Sequence, residues 1–405
     1  MKHVIATIIL TILFPQSSMA YVQITKIIVT GNHRTDPDII RNYLYLREGD
    51  AISREELADR ISRSERRLLD TRYFSSASVT TTYEDGEKVT VHVMVQEGFL
   101  WRFTAGTWFV QLGRDNLFGK GVNGSLYLST KTQSLILDNP YFRGTPFLVR
   151  MRVNHLLASR DIVFVEPEEG FDYRRIGASF SIGYNFNPDL SIAFIAGVHT
   201  FNLEEKEFGT DALSFLNDNG ICGRTKDTDL GASFLLDRRD NRLTPFDGYL
   251  FQGSIVFRDG APGILFQALD YKRTGKRTYI FSRLSLTNFG NKLPYHLWQG
   301  LGGVWGLKFP NSGDLIGRST FLASIEPRYR FLEIPFHDAF LEARIFLDAG
   351  AATLRVSELS FDRLISGYGA GLRLWIGYPY FQNAVAYYGI RRGEGEFFFR
   401  FGSSF

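Results

Sequence analysis

The sequence predicts a transmembrane antiparallel β-barrel of about sixteen strands, preceded by a small α+β domain ordered strand, helix, helix, strand, strand. Three observations predict this class. The chain ends in FFFRFGSSF, a strand with Phe397, Phe399, Phe401 and Phe405 on one face and Glu396, Arg400 and Ser404 on the other. It begins with a secretory leader, and short alternating segments recur from residue 98 to the end. Alternation lets one face of a strand meet lipid while the other meets water.

In the leader, Lys2 and His3 precede an apolar run from Val4 to Phe14, then Pro15 and the small-residue site Ser18-Met19-Ala20. This is the layout of a cleavable signal, so residues 1–20 are expected to be removed after Ala20 and the mature chain to begin at Tyr21. No Cys follows that site, which argues against a lipoprotein. Beyond the leader no stretch approaches the roughly 18 uninterrupted apolar residues of a spanning helix.

Residues 21–97 read as the small domain. VQITKIIVTGN is an apolar strand closed by a turn at Gly31-Asn32, and DPDIIRNYL has apolar residues at helical spacing. SREELADRISRSERRLLDT opens with Ser53 and Glu56, a capping-box pattern. ASVTTTYEDGEKVTVHVMVQE alternates on both sides of Asp85-Gly86, a hairpin signal.

Residues 98–405 read as the barrel, with helical signals gone. Phe321, Ala323, Ile325, Tyr329 and Phe331 alternate with Ser324, Glu326, Arg328 and Arg330; Leu341, Ala343, Ile345 and Leu347 alternate with Glu342, Arg344 and Asp348. A lipid-facing Arg near mid-membrane costs about 2–4 kcal/mol, so the charged face must point into the lumen. The formal charge is +3 with both signs interspersed, which argues against a nucleic-acid partner. The single Cys222 sits in the loop-like NDNGICGRTKDTD and is assigned no role. The seven His show no metal-ligand spacing, and neither a nucleophile elbow nor a phosphate-binding Gly loop is present. A non-enzymatic protein without metal or cofactor is expected.

Several strings together resemble the BamA/TamA-like outer-membrane assembly superfamily. In the first domain they are the Gly31-Asn32 strand end, LREGDAIS, RYFSSASV and VMVQEG, similar in order and spacing to a POTRA domain; one such domain fits before the barrel. In the barrel they are GRDNLFGKGVNGSLYL, LDNPYFRG and DRRDNRLTPFDGYLFQGSI, together with the aromatic terminal strand, which looks like an outer-membrane insertion signal. The resemblance implies an outer-membrane barrel with its POTRA domain in the periplasm. Implied partners are unfolded outer-membrane protein clients, the lipid bilayer with its lipopolysaccharide, and periplasmic chaperones or accessory lipoproteins.

It further implies a long loop that folds back into the lumen and sets an Arg against acidic residues on two neighbouring strands. SGDLIGRSTF aligns Gly317 with the motif Gly, but Ile316 stands where the Arg is expected. Glu326 and Asp348 match the acidic partners. Buried carboxylates need cations, so Arg318 is expected to reach them, unless Arg328, Arg330 and Arg344 do so and the loop tip is free. The seam is expected between Leu100–Val110, with Gly106, and Glu396–Phe405, with Gly402; both glycines read as weak points in pairing or as ordinary barrel curvature. Three functions remain open: insertion of client strands at the seam, translocation of a secreted partner through the lumen, and a porin-like or structural barrel.

Overall fold

The computed structural model describes residues 21–84, 86–106, 109–162, 169–203, 208–218, 221, 224–302, 306–309, 315–334, 339–377 and 382–403. Ala20, Cys222 and Phe405 lie outside the described residues.

The N-terminal domain opens with β1 (Tyr21–Thr30), whose alternation buries Val22 and Ile24. Helix α1 (Pro37–Asn42) starts with Pro at its first position, and the Asp36 side chain accepts from the Asp38 N–H. A short β2 (Ala51–Ser53) leads into α2 (Arg54–Asp70), where Ser53 Oγ accepts from the Glu56 N–H at 3.1 Å. This capping satisfies an amide that the first helical turn leaves without an internal partner. Strands β3 (Phe74–Glu84) and β4 (Lys88–Glu97) form the hairpin, and Val89, Val91, Val93 and Val95 are buried. The sheet order is β2-β1-β4-β3, with β1 and β4 parallel. The added strand β2 departs from the predicted order, because three residues are too few to show a period of two. At the turn after β1, Gly31 has φ +81°, and a Cβ there would stand 2.0 Å from the Val95 carbonyl oxygen. Asn32 Nδ2 donates to the Thr35 carbonyl at 2.9 Å and closes the turn.

Sixteen antiparallel strands form the second sheet. They are β5 (Trp101–Gly106), β6 (Phe109–Leu117), β7 (Val122–Ser129), β8 (Thr132–Asn139), β9 (Phe147–Ile162), β10 (Glu169–Asn185), β11 (Leu190–Leu203), β12 (Arg224–Asp237), β13 (Gly248–Arg258), β14 (Ala261–Arg273) and β15 (Thr278–Phe289). After a long inward excursion carrying the short pair β16 (Gln299–Gly300) and β17 (Ile316–Gly317), the sheet resumes with β18 (Ser319–Ile334), β19 (Ala339–Thr353), β20 (Ile365–Ile376), β21 (Gln382–Arg391) and β22 (Glu394–Ser403). Each strand pairs with its neighbour in sequence, apart from β15, which pairs directly with β18. The sheet curls into a barrel that brings Cα atoms of β22 and β5 within 8 Å of each other.

Alternation sets inside and outside. Along β18, Glu326, Arg328 and Arg330 are buried while Ile325, Tyr329 and Phe331 are exposed; along β19, Glu342, Arg344 and Asp348 are buried while Ile345 and Leu347 are exposed. The exposed apolar side chains form the band that lipid covers.

Two expectations fail here. The nine-residue helix α3 (Thr210–Asp218) interrupts the all-strand reading between β11 and β12. It forms because Ala212 and Leu216, four residues apart, bury against Tyr295 and Trp298 of the excursion in one apolar cluster. The segment Leu100–Val110 is not one strand: it includes β5 and the start of the antiparallel β6, with Gly106 opposite Phe109.

Replacing Gly31 with Ala is expected to destabilise the N-terminal domain by about 1–3 kcal/mol, read as faster hydrogen exchange of β4 amides in the intact protein with β18 and β19 unchanged.

Candidate functional site: the lumenal lock and the seam

The charged lumenal faces of β18 and β19 create the first requirement of the site. Glu326 and Asp348 are 3% and 0% exposed, and a buried carboxylate without a cation costs several kcal/mol. Lys308, at the tip of the excursion, meets both. Its Nζ stands 3.1 Å from Glu326 and 2.9 Å from Asp348, and its backbone N–H donates to Asp348 at 3.0 Å. Ser324 Oγ adds a 2.5 Å bond to Asp348. Arg328 donates to Glu326 at 2.7 Å, Arg344 to Glu342 at 2.7 Å, and Tyr279 to Glu342 at 2.5 Å, which extends the network across three strands.

Small residues make room for the tip. A Cβ on Gly389 of β21 would stand 1.7 Å from the Lys308 carbonyl oxygen, and one on Gly367 of β20 would stand 2.4 Å from the Phe309 ring. Arg283 of β15 donates to the Gly306 carbonyl at 2.9 Å. The tip is thus fixed to β15, β18, β19, β20 and β21 together.

Lys308, rather than Arg318, occupies the cationic position. Arg318 stays near the opposite end of the excursion, where it lies 5.1 Å from the Trp298 ring centroid and donates to the Asn291 carbonyl. Gly317 belongs to β17, not to the loop tip, and packs against the end of β19, where a Cβ would stand 2.6 Å from the Thr353 carbonyl oxygen. Of the arginines in the alternative reading, Arg328 pairs with Glu326 and Arg344 lies 3.9 Å from it, Arg330 lies 3.4 Å from Glu342 instead, and the tip is not free, because Lys308 meets both carboxylates. Sequence reasoning missed Lys308 because the Gly-Leu-Lys-Phe order inverts the expected Arg-Gly order. The available signal was that Lys292 and Lys308 are the only Lys or Arg residues between Leu284 and Gly317.

The same excursion closes the mouth farther from the N-terminal domain. Tyr295, Leu297 and Trp298 pack with α3, His296 Nε2 lies 2.9 Å from Asp227, and the His296 ring stacks on Phe201 at 3.9 Å. At the other mouth, the turn between β12 and β13 folds inward. Asp240 Oδ1 accepts from the Phe246 and Asp247 N–H groups, Asn241 Oδ1 accepts from Leu243 and Thr244, and Arg330 lies 3.7 Å from the centroid of the Phe246 ring. Between these closures lies a polar cavity of about 500 Å³, lined in part by Ser181, Ser233, Ser254 and Gln267.

The N-terminal domain docks on the turns of this second mouth. A Cβ on Gly119 would stand 1.8 Å from the Arg34 carbonyl oxygen, Lys120 pairs with Asp36 at 2.9 Å, and Asn116 Nδ2 donates to Thr35 Oγ1 at 2.7 Å. Tyr141 meets Tyr43 edge-on at 4.8 Å, and Asn42 Nδ2 donates to the Gly144 carbonyl at 2.6 Å. Asp70 at the end of α2 accepts from the Arg242 N–H at 3.2 Å; burial raises its carboxyl to about 6 despite the neighbouring Arg67 and Arg242. The docking reaches the seam through Asp115, which is bonded twice by Arg102 of β5 at 2.9 Å and lies 3.7 Å from Arg72 of the N-terminal domain.

At the seam itself, β22 pairs with β21 over its whole length, including Gly402 opposite Asn383. Phe397, Phe399 and Phe401 are exposed on the lipid side. The hydrogen-bonded strand order runs from β22 round to β5, and no ladder register carries it across the seam among the described residues. A six-residue strand stands there against a ten-residue one.

Replacing Lys308 with Ala leaves the buried Asp348 without its cation, while Glu326 keeps Arg328, and is expected to cost about 3–5 kcal/mol, whereas Arg318→Ala, half-buried and away from both carboxylates, is expected to cost about 1 kcal/mol; denaturant unfolding of the barrel in micelles measures both. A pH dependence follows from Asp70. Its docked value near 6 lies above the ordinary 3.8, so the docked state holds a proton that the undocked state releases. Docking is therefore strongest below the lower value and weakens as pH rises through the window between them. Spin-label distances between the domains, in a background with Cys222 replaced, should lengthen over that window, and Asp70→Asn should remove the change.

Residues 22–98 match the POTRA family, described as a surface antigen variable number repeat, and residues 116–405 match the Omp85 superfamily domain. Among curated proteins none matches the chain. Solved structures with similar folds include BamA from Haemophilus ducreyi lacking POTRA domains 1–3, with 16% identity, a TM-score of 0.57, and coverage of 94% of this chain and 84% of that one. CdiB from Escherichia coli is similar at 11% identity and a TM-score of 0.60, over 95% of this chain and 76% of that one; CdiB from Acinetobacter baumannii has 13% identity, a TM-score of 0.57, and coverage of 94% and 74%. At these identities the likeness is one of fold. With the Omp85 domain matching most of its length and a POTRA domain ahead of it, the chain belongs to the Omp85 superfamily of outer-membrane β-barrels.

Proposed function

We propose that this protein is an assembly factor that captures strands of unfolded outer-membrane proteins at its seam and passes them into the bilayer, with the POTRA domain in the periplasm. The observation that carries the reading is the mismatch between β5 and β22. Backbone groups facing lipid must be paired, and a ten-residue edge beside a six-residue one leaves room for an incoming strand. The lumenal lock supports the same reading by holding β18 to β21 rigid, so that movement concentrates at the seam. The work required is strand pairing rather than bond chemistry, so the protein acts without a catalytic centre or cofactor.

A second reading, translocation of a secreted partner, draws support from the polar lumenal cavity and from the fold shared with CdiB. It would require the Lys308 tip, the aromatic cap and the Phe246 turn all to leave the lumen. Depletion of the protein, followed by mass spectrometry of outer-membrane and secreted proteins, separates the readings. A broad fall in other barrels is expected. Loss of one secreted protein alone would favour translocation, and no change in either would leave a porin-like or structural barrel.

A further inference from the structure

Beneath the barrel rim, between α2 and the β12–β13 turn, lies a cavity of about 390 Å³ whose walls carry six arginines and five aspartates. Three of the arginines, Arg66, Arg67 and Arg238, form no ion pair within 4 Å among the described residues, and Arg67 Nε is buried without a hydrogen-bond partner. Beside them, Asp70 follows Arg67 by three residues on α2 and Asp247 shares the β12–β13 turn with Arg238; they accept backbone N–H bonds, from Arg242 at 3.2 Å and from Arg273 at 3.2 Å, and form no ion pair within 4 Å among the described residues. Both the α2 side and the turn side of the cavity therefore carry cations and anions close together. Neither a simple anion nor a simple cation satisfies both.

Its position relates it to the membrane. Tyr249 lines it and meets Phe251 at 5.1 Å, on the same face of β13 as the exposed Ile255 and Phe257. An adjoining cavity of about 370 Å³ shares Arg63, Asp189 and Arg238 with it and extends to the exposed Phe186, which meets Tyr184 at 5.2 Å. Aromatic residues at the end of a lipid-facing band mark the headgroup level.

We infer that this cavity binds the zwitterionic headgroup of a phospholipid from the facing leaflet, its phosphate on Arg66, Arg67 and Arg238 and its ammonium on Asp247 and Asp70. A primary ammonium donates hydrogen bonds to carboxylates that a trimethylated one cannot, so ethanolamine headgroups are preferred over choline. Headgroups with a phosphate alone leave Asp247 without the ammonium. A lipid held there would tie the POTRA domain to the membrane surface beside the barrel.

The test is native mass spectrometry of the full-length protein released from nanodiscs containing equal amounts of phosphatidylethanolamine, phosphatidylglycerol and phosphatidylcholine. Ethanolamine lipid should be retained about tenfold over the other two, the scale of one or two charge-assisted hydrogen bonds. The surface double variant Arg66→Gln/Arg238→Gln should lose that retention. Asp247→Asn should lose the preference for ethanolamine over glycerol headgroups while keeping some phospholipid. Heat-modifiable migration checks that each variant is folded. Equal retention of phosphatidylglycerol, or displacement of bound lipid by millimolar inorganic phosphate, would overturn the assignment in favour of a plain anion or free-phosphate site. Equal retention of all three lipids by the unmodified protein would overturn it outright.

Discussion

In a bilayer no lipid-facing backbone edge can go unpaired, and a barrel meets that constraint by closing on itself. Here the constraint falls on one place, where β5 and β22 meet with unequal lengths. Every other strand of the sixteen-stranded sheet has two neighbours in register. The rest of the architecture is arranged around this unequal junction: it stiffens the wall away from the seam, fills the lumen, and anchors the seam strand β5 to the POTRA domain.

Stiffening comes from charge. Lumenal charges on β18 and β19 are forced inward by the cost of Arg or Glu in lipid, and once inside they must neutralise one another. Lys308 completes that neutralisation from a loop that enters from the far mouth, so folding the excursion and satisfying the wall are the same event. Gly367 and Gly389 allow the tip to sit against β20 and β21. Toward the seam, the buried Arg102–Asp115–Arg72 contact links β5 to the end of α2, so a shift of the POTRA domain is felt by the first barrel strand.

Much of this was legible in the residues. Alternation in SIEPRYRF and LEARIFLD fixed which side of β18 and β19 faces the lumen, because a period of two carries that information directly. The three barrel strings that carried the family resemblance are turns at the POTRA-facing mouth. NLFGKG holds Asn116, Phe118, Gly119 and Gly121 at positive φ against the POTRA domain, LDNPYFRG presents Tyr141 to Tyr43, and RRDNRLTPFDG folds into the lumen. What was not legible is non-local. Lys308 shares no periodic pattern with its partners, and it is selected by a loop path that no spacing encodes. Helix α3 was missed because its partner, the Tyr295–Trp298 cluster, lies about eighty residues away in sequence.

The most direct measurement is photocrosslinking from the lipid-facing edge of the last strand. Phe399 is replaced by a photoreactive amino acid, and light is applied while new outer-membrane proteins are being made. If the seam receives client strands, crosslinks should form to newly made barrels, through their own terminal strands, and should fall when client synthesis stops. Crosslinks confined to lipid or to this protein's own β5, unchanged by client supply, would contradict the account.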